Sequence, residues 1–123
     1  MTREIKIPDA AHPITVTPTP GRVQVVAGGS VIAESTASLT LQESTYPPVQ
    51  YVPLADIDPA LLTRTGTSTY CPFKGDASYF SVTTPDGTIT DAGWTYDEAY
   101  DAVAEIKDHV AFYPDKVTVT VDE

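Results

Sequence analysis

The stretch Thr69-Tyr70-Cys71-Pro72-Phe73-Lys74-Gly75-Asp76-Ala77-Ser78-Tyr79-Phe80 packs a thiol, an amine, several hydroxyls and two turn formers closer together than any other part of the chain, and Cys71 is the sole cysteine. A cysteine reacts as its thiolate, which needs a nearby cation or a helix N-terminus to form near neutral pH. Lys74 stands three residues on, and Pro72 and Gly75 suit a turn that folds its ammonium back toward the sulfur. Cys71 is therefore the candidate nucleophile, set against the commoner role of a free cysteine as an inert space-filler. Lys74 could instead bind the phosphate or carboxylate of a ligand, with Gly75 letting that ligand approach the backbone. The competing role for Lys74 is a salt bridge, to Asp76 or Asp56. We take the ligand role, which predicts that Lys74→Ala changes stability by less than about 1 kcal/mol. The stretch is not a P-loop, because the GxxxxGK[ST] frame is absent.

After the turn, Ser78 and Tyr79 alternate on a strand and face opposite sides, Ser78 with Phe80 and Tyr79 with Ala77 and Ser81. One of those faces lines the core or a pocket, to which Trp94, Tyr96, Tyr51 and Tyr113 could add an aromatic wall. The expected ligand-binding set is Lys74, Cys71, Tyr51, Ser78 and Trp94. His12 and His109 are the only histidines and neither has a metal-ligand spacing partner, so no metal or cofactor is expected. Asp56 and Asp58 read as turn and cap residues. Asp97, Glu98, Asp101, Glu105 and Asp108 read as the solvated face of a helix.

These side chains belong to a chain of 123 residues, enough for one domain with a real core. Seventeen acids against seven bases give a formal charge of −10, which repels nucleic acid backbones and anionic membranes and excludes both as expected partners. A lone cysteine makes no internal disulfide and fits a reducing compartment. The start of the chain lacks the apolar run of a signal peptide, and no segment approaches the ~20 apolar residues of a membrane span. The expected location is the cytoplasm, the expected partner a small anionic metabolite, and the expected assembly a monomer or homodimer.

Eleven prolines and seven glycines mean many turns and few long helices. Residues 1–12 form a lead-in, and residues 13–123 a single β-rich domain. Ile14 to Thr17 is extended, and the β-rich runs 22–27 and 30–35 flank Gly28-Gly29 as a hairpin does. Residues 37–43 alternate as a half-buried strand. Tyr46-Pro47-Pro48 puts the run Val49–Val52 at a sheet edge or a bend. Asp58 followed by Pro59 caps a short helical turn. Thr63 to Thr69 is a hydroxyl-rich lead into the cysteine stretch. Ala77 to Val82 is a strand, Thr84-Pro85-Asp86-Gly87 a tight turn, and Thr88–Thr90 and Trp94–Tyr96 are separate extended pieces. The one late helix is expected over about 97–108, capped by Asp97. Val117, Val119 and Val121 alternate in a closing strand. The sum is a mainly β fold with minor α, built from antiparallel sheets.

His12-Pro13-Ile14, Arg22-Val23-x-Val25, Gly29-x-Val31-Ile32-Ala33, Tyr51-Val52-Pro53, Asp56-Ile57, Thr69-x-Cys71-Pro72-x-Lys74-Gly75-x-Ala77-Ser78-Tyr79, Trp94-x-Tyr96 and Val110-Ala111-Phe112-Tyr113 follow one another in order. This ordered set resembles the bacterial family called domain of unknown function 427, labelled nucleotidyltransferase-like in some schemes, from about His12 to Val121. The resemblance implies a β-tent-like or β-sandwich-like arrangement, similar to zinc-binding and methionine-sulfoxide-reducing proteins, although the paired CxxC zinc ligands of those proteins are absent here. Three functions follow as expectations. The first is a small-ligand binding domain with its pocket around Cys71-Pro72-Phe73-Lys74-Gly75. The second is an enzyme, thiol-dependent or nucleotidyltransferase-like. The third is an interaction module that uses edge strands such as Val117–Val121.

Overall fold

The computed structural model describes residues 4–122. Its strands form two antiparallel sheets, neither closed into a barrel. The larger sheet runs β1 (Ile14–Pro18), β4 (Leu39–Glu43), β5 (Val49–Pro53), β9 (His109–Phe112), β8 (Gly87–Thr95), β7 (Gly75–Thr84) and β6 (Leu62–Cys71). The smaller runs β10 (Thr118–Asp122), β2 (Arg22–Ala27) and β3 (Ser30–Ser35), so β10 is an edge strand. The fold is mainly β with a few helical turns, as the sequence predicts. No helix among the described residues is long and apolar enough to cross a membrane.

Period-two alternation builds a core on each face of the larger sheet. Val52, Phe80, Val82, Val110 and Phe112 pack against Val23, Val25 and Ala33 of the smaller sheet. Their strand neighbours Tyr51, Tyr79 and Ala111 go to the opposite cluster, with Leu41, Ala77, Val103 and Ile106. Successive side chains of a strand point to opposite faces, so strands covered on both sides need apolar residues at consecutive positions. Val52 and Val110, opposite each other in the β5–β9 pair, are fully buried. Each contributes roughly 1.5–3 kcal/mol by leaving water. The β2–β3 hairpin turns on Gly28 and Gly29 at φ of 56° and 79°, the paired positive values of a type I′ turn.

Several local expectations give way to tertiary context. The helix expected over 97–108 forms only as 3₁₀ turns over Asp101–Ile106, broken at Val103. Asp97 does not cap it. Both Asp97 carboxylate oxygens accept from Arg64, at 2.9 and 2.8 Å, and the Tyr100 N–H bonds the Lys74 carbonyl at 3.0 Å. The strand after Pro47-Pro48 is not an edge, since β5 lies between β4 and β9. The prolines precede the strand, where no ladder donor is lost. The hydroxyl-rich lead into Cys71 is itself a ten-residue strand, β6, with an irregularity between Arg64 and Ser68. The two extended pieces expected over 88–90 and 94–96 form one strand, β8 (Gly87–Thr95), which leaves Tyr96 outside it, with Asp91 at φ 51°. The capping of a short turn by Asp58 forms as expected, with Asp58 Oδ1 accepting from the Ala60 N–H at 3.0 Å. Of the lead-in over residues 1–12, residues 1–3 lie outside the described ones. The remainder lies against the β6–β7 turn, where the Lys6 N–H bonds the Pro72 carbonyl at 2.9 Å.

Candidate functional site

The turn Pro72-Phe73-Lys74 joins β6 to β7, with Cys71 opposite Gly75 and the Lys74 N–H bonded to the Cys71 carbonyl at 3.2 Å. This turn does fold Lys74 back, and Nζ stands 3.7 Å from Cys71 Sγ. Nζ also donates to Glu43 Oε1 at 2.5 Å, and Lys74 is only 8% exposed. The other oxygen of Glu43 lies 2.8 Å from His12 Nε2, and the His12 ring stacks on Phe73 at 4.3 Å between centroids. Burial alone would raise the Glu43 carboxyl. The bonds and charges of Lys74 and His12 outweigh it and hold the pKa below the ordinary carboxylate value.

Lys74 therefore has an acid partner, and it is neither Asp76 nor Asp56. The Asp56 carboxylate accepts from Ser35 instead. Glu43 carries a signal that sequence reasoning missed: it continues the series Leu39, Leu41, Glu43 along β4, which places a carboxylate on a face that is otherwise apolar. Gly75 is also explained without a ligand. Its φ is 112°, and a Cβ there would sit 3.3 Å from the Glu98 carbonyl oxygen, so the close approach is made by the chain itself.

Above Glu43 and Lys74 opens a cleft of about 800 Å³. Trp94 and five of the seven tyrosines, Tyr46, Tyr51, Tyr79, Tyr96 and Tyr113, line it. Strand register explains how they gather. Tyr79 is opposite Trp94 across β7–β8, and Trp94 is opposite Ala111 across β8–β9. Ala111 is small, which leaves room over the middle of the sheet for the large rings on either side. The Trp94 and Tyr113 rings stand 4.5 Å apart at 43°. Tyr79 shares its hydroxyl with Thr69 Oγ1 at 2.9 Å, and the Tyr113 hydroxyl donates to it at 3.5 Å. Val119 and Val121 of the edge strand β10 close one side, and Pro47 and Pro48 another.

Burial pushes the Tyr51 and Tyr96 phenols well above their ordinary range. Tyr113 is pushed up to about 12, by burial first, then by the Tyr79 hydroxyl and the acids Asp91 and Asp115. All three are neutral at physiological pH. The cleft thus offers ring faces and neutral hydroxyls around a carboxylate–ammonium pair that cancels its own charge.

Of the expected ligand-binding set, Lys74, Tyr51 and Trp94 line the cleft together. Cys71 lies behind Lys74, half-buried in the same cluster, and is not part of the lining. Ser78 does not join them. It points to the other side of β7, where its hydroxyl bonds Asp97 at 3.3 Å. Among the described residues no three His, Cys, Asp or Glu side chains gather closely enough to hold a metal ion. His109 is far from any such role, with Nδ1 on the Lys107 carbonyl at 2.8 Å.

No curated protein matches the chain. A family model does match, over residues 15–123, and it covers the strands apart from Ile14 of β1, the Cys71–Gly75 turn and every residue named in the cleft. The chain belongs to the family described as Domain of unknown function (DUF427).

Proposed function

We propose that this protein is a small-ligand binding domain whose site is the aromatic cleft above Glu43 and Lys74. One observation carries the reading: the sole tryptophan and most of the tyrosines converge on a cleft of about 800 Å³. That is the size and character of cofactor and metabolite pockets, which are mostly apolar with a few placed polar groups. The favoured ligand is compact, with a hydrocarbon or ring body that lies against Trp94 and Tyr113. Lys74 is already bonded to Glu43, so an anionic group would have to displace that carboxylate. This favours a ligand without a strong negative charge over the anionic metabolite suggested by the sequence.

Trp94 is its own reporter, being the only tryptophan. Metabolites screened by thermal shift should include some that raise the melting temperature, because a ligand bound only to the folded state stabilises it. The same compounds should move Trp94 emission saturably. Compounds that raise the melting temperature and leave Trp94 emission unchanged bind elsewhere, and would refute the cleft as the site.

A second reading, thiol chemistry at Cys71, is supported by the 3.7 Å approach of the Lys74 ammonium. It requires the thiol to react with an alkylating agent faster than a free cysteine does at pH 7. Alkylation no faster than that of a free thiol would remove it.

A further inference from the structure

We propose that the ligand class of this cleft is a small organic cation, an alkylammonium or quaternary ammonium head seated on the faces of Trp94 and Tyr113. The inference rests on the binding reading above and names the chemistry it selects.

Aromatic ring faces carry the negative part of the ring quadrupole, and a cation within about 6 Å of a ring centre is attracted to it. Trp94 and Tyr113 stand side by side at 4.5 Å with their planes tilted at 43°, so the two rings form an angled wall rather than a closed stack. Tyr113 already takes a cation of the protein's own, since Lys116 Nζ lies 5.4 Å from its ring centre. Lys116 is tethered by the Thr90 and Asp91 carbonyls at 3.0 and 3.3 Å and is not part of the cleft lining. The Tyr113 ring thus attracts an ammonium, and a ligand head would use the ring surface that Lys116 leaves uncovered.

Charge around the cleft has the matching sign. The one cation in the lining among the described residues, Lys74, is cancelled by Glu43. Asp91 and Asp115 act on Tyr113 in the direction that disfavours further negative charge. The whole chain carries a formal charge of −10, which draws cations toward it. The cleft has the volume of a metabolite site, which suits a free small molecule. The Tyr113 hydroxyl, which donates to Tyr79, can still accept from a hydroxyl elsewhere on the ligand.

The test compares choline with 3,3-dimethylbutan-1-ol, its uncharged carbon analogue, by titrating Trp94 emission at constant ionic strength. Tetramethylammonium serves as the minimal head. Choline is expected to shift the emission saturably and to bind about tenfold or more tighter than the analogue. Tyr113→Leu should remove that preference while Tyr113→Phe keeps it, and a melt of each variant confirms that it folds. If Tyr113→Leu does not fold, the Phe variant and the choline pair still decide. Equal affinity for choline and the analogue overturns the cation class and leaves the binding reading standing. The same holds if no ammonium binds while a compound from the thermal-shift screen moves Trp94. If nothing moves Trp94, both readings fail.

Discussion

Lys74→Ala tests the structure most directly, because the paired and unpaired states of that ammonium predict different stabilities. Breaking a buried pair by removing one partner costs roughly 3–5 kcal/mol, since it leaves a charge with nothing to replace its lost hydration. Here the stranded group is Glu43, whose side chain is 17% exposed in the intact protein and keeps its second oxygen on His12 at 2.8 Å. Both features soften the loss, and we expect about 2–3 kcal/mol. Lys74→Met keeps most of the stem and should lose nearly as much, which separates the charge from the packing of the stem. Combining Lys74→Met with Glu43→Leu removes both charges and should recover much of the loss, as hydrophobic replacement of a buried pair often does. Urea melts at neutral pH with comparable slopes give the free energies of these variants and of Glu43→Leu alone, and the cycle of wild type, Lys74→Met, Glu43→Leu and the double variant gives the coupling. If both single Lys74 variants lose less than about 1 kcal/mol, the pair contributes no more than an exposed one. The original expectation from sequence would then stand over the structure.

Acid should weaken this protein through Glu43. Its folded pKa lies below the ordinary value, so its contribution is present above about pH 4.3 and is lost as pH falls through the folded pKa. The stability gap between wild type and Glu43→Gln should therefore narrow in melts taken below about pH 4, and a constant gap would count against the pairing. Base acts through the tyrosines. Their folded pKa values are raised, so stability present below about pH 10 should decline as pH rises through the folded values. Ultraviolet titration should show Tyr51, Tyr96 and Tyr113 ionising late, Tyr113 near 12. Ionisation of all seven tyrosines together near pH 10 in the folded protein would contradict the buried cluster. Gly75→Ala should cost about 1–3 kcal/mol in a thermal or urea melt, because φ there is 112° and the Glu98 carbonyl leaves little room. A neutral result would show that the turn relaxes.

The sequence by itself determined the strand-rich architecture, because alternation, β-branched residues and turn formers act locally. Val23, Val25 and the Gly28-Gly29 turn specify a hairpin without help from elsewhere. The Cys71–Gly75 turn was equally legible, since Pro72 and Gly75 restrict the backbone where they stand, and so was the return of Lys74 toward the sulfur. The partner of Lys74 was not legible: Glu43 lies 31 positions away, brought near by the pairing of distant strands. The same holds for Asp97, a plausible helix cap in isolation that serves Arg64 across 33 positions instead. The 97–108 helix fails for that reason, since a short helix is marginal alone and yields to stronger tertiary bonds. Tyr51, Trp94 and Tyr113 could be named as aromatic wall residues from composition. Only the register of β7, β8 and β9, with small Ala111 in the row, decided that they face one cleft while Ser78 faces away. Strand alternation fixes which side chains share a face, but which faces meet is a property of the whole sheet.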